Sequence, residues 1–298
     1  MIGLLNLDKP AGLTSREVVN RVQRLVQPVK VGHAGTLDPL ATGVLIVCLG
    51  PATRLASYLH RYPKTYEAEF LLGWRSDTDD VEGKLTPVAN ALPVNPEQVR
   101  EVLGRFVGTM EQVPPAYSAV KVDGRRAYAL ARRGVPLDLQ PRQVEIHRLE
   151  LTGCQDDRVT VTVECSSGTY IRSLARDVGE ALGTGGVLSR LRRTRIGPFD
   201  VRESLKLDDL SLGVLLDRLL PPGLAVGMLP SRRVNPEEEA ALRQGRRIAI
   251  ATSVTSSIEV AIYNISGGLV AVAEEQPGGW LAPRLVFPPG ESPTARSD

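Results

Sequence analysis

A chain of 298 residues with 42% apolar content can build a sizeable core in one or two domains, and its formal charge of +2 excludes strong whole-molecule attraction to polyanions. Three cysteines without C-x-x-C spacing and three scattered histidines exclude a disulfide framework and a zinc cluster, and no metal site is expected. No stretch approaches the roughly 18 apolar residues of a membrane span, and the first ten residues lack a secretory pattern. A cytoplasmic globular protein without membrane association is expected.

Residues 2–7 predict a short apolar strand closed by Asp8-Lys9-Pro10-Ala11-Gly12. Thr14-Ser15-Arg16-Glu17 then starts a helix whose apolar spacing runs to Leu25. In the stretch from Gly32 to Leu45 one carboxylate, Asp38, sits in a glycine-punctuated loop. Gly32 and Gly35 permit tight turns there, and Pro39 biases Asp38 toward extended backbone. Residues 44–49 read as a buried strand behind it. Locally, Asp-Pro is also a common turn dipeptide.

Residues 65–72 alternate, with Tyr66, Ala68, Phe70 and Leu72 inward and Glu67 and Glu69 outward. An acidic, polar stretch follows over 74–83. Asn95-Pro96-Glu97-Gln98 opens a helix with a Val99, Val102, Leu103, Phe106 stripe. Residues 113–142 change character: six Lys or Arg, including Lys121, stand against two Asp between proline brackets, which reads as an inserted, mobile, basic excursion. Residues 159–165 alternate as a strand, Gly168 breaks it, and 170–182 has helical spacing.

Arg172 falls in the first turn of that helix, where the dipole disfavours a cation, so an acid should hold it. If that acid is Asp38, the pair lowers the carboxylate pKa and keeps it ionised; otherwise Arg172 is one surface arginine among many. Arg176 reads as an i,i+4 partner of Glu180. Arg190, Arg192, Arg193 and Arg195 crowd one segment, and they, Lys9 and the excursion are candidates for phosphate contacts. A boundary is expected at Pro221-Pro222-Gly223. Beyond it come a helix capped by Asn235-Pro236 and closed by Gly245, strands near 248, 258–265 and 269–273, and a Gly267-Gly268 turn. A content of 4% aromatics argues against a flat stacking platform for RNA.

Six blocks carry a resemblance: Leu7-Asp8-Lys9-Pro10-Ala11-Gly12-Leu13-Thr14-Ser15, residues 32–45, Lys64-Thr65-Tyr66, Val113-Pro114-Pro115-Ala116-Tyr117-Ser118-Ala119-Val120-Lys121, Ser167-Gly168-Thr169-Tyr170-Ile171-Arg172, and Leu191-Arg192-Arg193-Thr194-Arg195-Ile196-Gly197-Pro198-Phe199. In this order the chain resembles the TruB family of tRNA pseudouridine synthases over residues 1–200. The resemblance implies an α+β pseudouridine synthase fold with a mixed, largely antiparallel sheet over 1–225, a small PUA-like β-barrel over 226–288 and a disordered tail over 289–298.

It further implies an isomerase that extrudes uridine 55 of the TΨC loop, cleaves its glycosidic bond and rejoins the base through C5, with no cofactor. Asp38 would be the catalytic carboxylate and Arg172 its partner. Tyr66 would stack on the base and assist loss of the C5 proton, Tyr170 would line the pocket, and His33 would fill the vacated space. The implied partner is the tRNA TΨC stem-loop, met by a monomer without a protein partner. Two other readings stay open: a non-catalytic RNA-binding protein on the same scaffold, and a guide-RNA-dependent synthase subunit. The short N-terminus and the absence of long basic tails favour the stand-alone enzyme.

Overall fold

The computed structural model describes residues 1–89, 91, 93–118, 120–122, 124–131, 133–135, 138–250 and 258–289, with the backbone alone at 121, 122, 125, 126 and 129. In chain order the elements are β1 (Gly3–Lys9), α1 (Ser15–Val26), β2 (Val31–Ala34), β3 (Thr42–Leu49), α2 (Ala56–Arg61), β4 (Lys64–Leu72), β5 (Trp74–Ser76), β6 (Leu85–Pro87), α3 (Pro96–Gly104) and β7 (Gly108–Gln112). There follow β8 (Lys121–Val122), β9 (Arg125–Arg126), α4 (Ala127–Ala131), β10 (Arg142–Gln155), β11 (Arg158–Cys165), α5 (Ile171–Ala181), β12 (Gly186–Ile196), β13 (Phe199–Asp200), β14 (Leu205–Lys206) and α6 (Leu212–Asp217). The last set is β15 (Ser231–Arg233), α7 (Pro236–Arg243), β16 (Ile248–Ala249), β17 (Glu259–Tyr263), β18 (Leu269–Gln276) and β19 (Trp280–Val286).

The large sheet runs β14-β1-β3-β12-β4-β11-β10-β7, with β2 on β3 and β13 on β12. Its β1–β14 and β3–β12 pairings are parallel and the others antiparallel, so the sheet is mixed and largely antiparallel as expected. Helix starts follow the sequence signals. Thr14 and Glu17 form a capping box before α1, and Asn95 and Gln98 form one before α3. One face of the sheet packs α5 and α3 against Ala68, Phe70, Val161 and Leu188, and α1 covers Leu5, Leu7, Leu45 and Val47 at its other end. Cys48 and Cys165 are buried free thiols, as their apolar strands predict.

The C-terminal strands form a second sheet, β15-β17-β18-β19-β16, curled into a half-barrel and including a strand, β15, absent from the sequence expectation. It is fused to the first sheet by a common core in which Val44, Ile46, Cys48 and Tyr62 meet Ala225, Ala261, Val272 and Phe287. Polar contacts fix the same seam: Tyr58 Oη donates to Glu259 at 2.7 Å, Arg61 pairs with Glu259 at 2.7 Å, and Tyr62 Oη donates to Leu224 O at 2.9 Å. The expected boundary at 221–223 thus overlaps a 3-10 turn, Pro222–Val226, whose Ala225 and Val226 are buried in that core. The expected disordered tail lies, from 290 on, outside the described residues.

One glycine is decisive for the sheet. Gly43 takes φ of 99° where β3 meets β12, and a Cβ there would stand 2.1 Å from the Arg193 carbonyl oxygen. Both strain and overlap oppose any side chain, so Gly43→Ala is expected to lower unfolding stability by about 2–4 kcal/mol in a urea titration. A loss below about 0.5 kcal/mol contradicts this packing.

Candidate active site

The Asp38 loop is pinned from below by three side chains. Ser15 Oγ donates to Leu37 O at 3.0 Å and accepts from Leu37 N at 2.9 Å, while Leu37 itself is buried in the core. Lys9 Nζ donates to the carbonyls of Pro10 (2.9 Å), Leu13 (2.6 Å) and Pro39 (3.3 Å). Arg193 donates to Val44 O at 2.8 Å and Gly35 O at 2.9 Å. The block from Leu7 to Ser15 is therefore a cradle for the loop that presents Asp38.

Arg172 meets Asp38 from the other side. Gly168, at φ of 90°, turns the chain into α5 and sets Arg172 in its first turn. Its Nε lies 3.0 Å from Asp38 Oδ2, its Nη1 3.5 Å from Asp80 Oδ2, and it is 5% exposed. Nη1 also donates to Thr78 O at 3.0 Å and Nη2 to Tyr117 O at 2.9 Å. All three nitrogens are thus engaged and the fork cannot rotate. Asp80 is buried and held by Thr78 Oγ1 at 2.6 Å and Glu82 N at 3.0 Å.

Arg172 lowers the Asp38 pKa as expected, but the expectation that the carboxyl therefore ends below its ordinary value is corrected. Burial raises it above the ordinary carboxylate value, Arg172 opposes that rise, and the neighbouring Asp80 adds to it. Arg172 limits the rise without reversing it.

Asp38 and Arg172 border a cavity of about 530 Å³ lined also by His33, Tyr66, Tyr117, Tyr128, Tyr170 and Leu191. That volume is in the range of small-ligand sites and accommodates one nucleoside. Tyr66 faces inward from β4 and is buried, as its alternation predicts. Tyr170 precedes α5, with its backbone clamped by the Gln112 amide, which accepts from Tyr170 N at 2.8 Å and donates to Tyr170 O at 3.1 Å. His33 Nδ1 is buried without a partner, and burial, with Arg16 and Arg193 adding to it, holds the imidazole pKa below its usual value. The floor adds Lys64, whose Nζ donates to His60 O and Tyr62 O, both at 2.6 Å, and whose pKa burial pushes down to about 8.

The structure does not bring every candidate to the surface. Lys9 is fully buried and Arg193 is 2% exposed, so neither reaches a phosphate, and both expectations are corrected to loop support. Burial pushes the Lys9 ammonium down to about 8. In the arginine run Leu191 and Arg193 point inward, Arg190 and Arg195 are exposed, and Arg192 is half-buried against Asp8 at 2.8 Å. The Lys121 side chain lies outside the described residues; the excursion around it folds back so that Tyr117 and Tyr128, rings edge to face at 6.2 Å, border the cavity.

Arg176 does not pair with Glu180. It binds Asp79 at 2.7 Å and Asp177 at 2.9 Å, and Glu180 instead takes Arg75 at 2.8 Å. The reason is that α5 turns Arg176 toward the 77–80 turn. No sequence pattern marks Asp79, Asp80, Gln112, Ser15 or Lys64 as site residues; the acidic stretch 74–83 is the available signal for the first two.

This assembly defines an enzyme cavity: an ionisable carboxylate fixed by a buried guanidinium beside aromatic surfaces of nucleoside size. Residues 23–171 match the TruB family pseudouridylate synthase N-terminal domain, and 172–222 match the tRNA pseudouridylate synthase B C-terminal domain. A tRNA pseudouridine synthase B from Arthrobacter sp. (strain FB24) is 42% identical over 96% of this chain and 97% of its own, and one from Thermobifida fusca (strain YX) is 43% identical over 96% and 98%. Among solved structures, a Cbf5-Nop10-Gar1 complex (TM-score 0.74, 29% identity) and an H/ACA RNP bound to a substrate RNA containing 2′-deoxyuridine (0.74, 27%) each align over 96% of this chain and 85% of theirs. The chain belongs to the TruB family of pseudouridylate synthases, and it is an isomerase.

Proposed function

We propose that the protein isomerises uridine 55 in the TΨC loop of tRNA to pseudouridine, acting in the cytoplasm as a monomer without cofactor or protein partner. The observation that carries this reading is the 3.0 Å ion pair between Asp38 and Arg172 at the edge of a tyrosine-lined cavity. Relatives more than 40% identical over almost their whole length bear the name tRNA pseudouridine synthase B, which favours a stand-alone enzyme over the guided subunit.

The carboxylate can act only on a ribose withdrawn from the stacked loop, at a cost of a few kcal/mol of unstacking. Tyr66 and Tyr170 supply surfaces for the everted uracil, and His33 occupies the space it leaves. Asp38, ionised, either attacks C1′ or removes the 2′ proton; both routes break the C1′–N1 bond and release the base from the sugar with the bonding pair on N1. The base turns, C5 bonds to C1′, and Tyr66 assists loss of the C5 proton. Arg192, Lys121, Arg190 and Arg195 serve as phosphate contacts that position the RNA without reading it. The division 1–225 for catalysis, with 113–142 as an inserted RNA-binding segment, and 226–288 for RNA contact belongs to the same reading.

Incubation with an unmodified tRNA transcript, then pseudouridine mapping at nucleotide level, tests it. Conversion at position 55 is expected, and none in a transcript carrying cytidine there. Conversion only elsewhere, or of nothing, overturns the reading. Affinity for tRNA should fall more than about tenfold between roughly 50 and 200 mM salt, and a flat titration removes the phosphate contacts.

A further inference from the structure

Arg193 is a buried guanidinium with no carboxylate at ion-pair distance among the described residues; its acceptors are the carbonyls of Val44 and Gly35. A charge held in low dielectric by neutral dipoles alone is costly, and such an arrangement asks for a use. Its position supplies one. In the antiparallel register of β12 and β4, Arg193 stands directly opposite Tyr66, and in the parallel register of β12 and β3 it stands beside Gly43. Opposed residues on neighbouring strands put their side chains on one face. Both side chains line the same cavity, and the guanidinium acts on the Tyr66 phenol. One planar group thus holds the loop that carries Asp38, through Gly35, and stands across the strand pair from the aromatic that faces the same cavity.

The charges around the phenol are Arg193 from β12, Lys64 from its own strand, Cys165 from β11 and Asp38 from the loop, with His33, His60 and Arg172 farther round the cavity. Burial raises the Tyr66 pKa and Arg193 opposes the rise. Cys165 is itself pushed up to about 11 by burial and stays neutral, so among the described groups that act on the phenol the negative charge comes from Asp38.

We propose that Arg193 is a positioning residue of the isomerisation: its guanidinium fixes the Asp38 loop and the Tyr66 phenol relative to one another and supplies the positive charge against which a transient phenolate forms. This rests on the functional reading above. In the step, the phenol O–H bond breaks and its proton passes to N1 of the detached uracil. Once C5 has bonded to C1′, the C5–H bond breaks, its electron pair closes the C5–C6 double bond, and the proton returns to the phenolate. Nothing is oxidised or reduced, and the phenol is regenerated.

The test uses single-turnover kinetics on tRNA transcripts carrying protium or deuterium at C5 of the target uridine, with wild type, Arg193→Met and Arg193→Lys. Wild-type turnover is measured first, and its absence defeats the functional reading rather than this one. With an active wild type, Arg193→Met is expected to slow the reaction ~10²-fold or more. It should leave tRNA affinity within about threefold and increase the C5 deuterium isotope effect, as proton removal becomes rate-limiting. Arg193→Lys, which keeps the charge, is expected to recover part of the rate, and it carries the test if the Met variant does not fold. Unchanged isotope effects in folded variants, with rates that track only the folded fraction, reduce Arg193 to a structural staple and overturn the proposal.

Discussion

Replacing Asp38 by Asn is expected to abolish pseudouridine formation, a loss of at least ~10³-fold in single turnover, while tRNA affinity stays within about threefold. The amide keeps the shape of the side chain and its place in a loop held by Ser15, Lys9 and Arg193, so the fold has no reason to change. What it loses is the charge that the proposed attack on C1′ or removal of the 2′ proton requires. In the proposed reading affinity rests on exposed cations elsewhere, such as Arg190 and Arg195. Pseudouridine release and filter binding on the same preparation separate the two effects. Turnover within tenfold of wild type removes Asp38 from the chemistry.

Arg172→Met is expected to act on stability and on pH dependence together. Removing the guanidinium leaves Asp80 buried without its cation, at an expected cost of about 3 kcal/mol in urea unfolding. The sign of the pH effect follows from the groups around Asp38. Burial and Asp80 raise its pKa, and Arg172 is the largest influence lowering it. Without Arg172 the carboxylate protonates at higher pH. With the ionised form as the active one in the proposed mechanism, the acid limb of the single-turnover profile should move to higher pH, and activity near neutrality should fall further than activity at pH 9. An acid limb that stays in place, in a folded variant, severs the proposed link between the two side chains.

Local signals were legible wherever one physical pattern dominated. The capping box at Thr14 and Glu17, the period-two alternation that turns Tyr66 inward, and the placement of Arg172 in a helical first turn read correctly from residues alone, whereas its pairing with Asp38 rested on the family resemblance, since spacing left a surface arginine equally open. The arginine run did not. Its strand has register shifts between Leu188 and Arg190 and between Arg193 and Arg195, so alternation is regular only from Leu191 to Arg193, and a charged residue on the inward side of that short run is not what composition leads one to expect. Lys9 misled for a related reason: its acceptors are three carbonyls, which composition does not advertise. The Arg176–Glu180 pairing failed because the i,i+4 rule assumes a solvated helix, whereas Arg176 turns to a distant aspartate. The sign of the Asp38 shift needed the depth of the loop, which only the packed structure supplies.

The seam joining the two sheets has a consequence for how the molecule is made. Val44, Ile46 and Cys48 lie on one side of β3, against Ala261, Val272 and Phe287 from the end of the chain. A nascent polypeptide halted near residue 225 therefore carries its central strand with one flank bare. The scaffold behind the Asp38 loop is fully packed only when the strands up to Phe287 have joined it, so a polypeptide cut short near residue 225 is expected to expose apolar surface there.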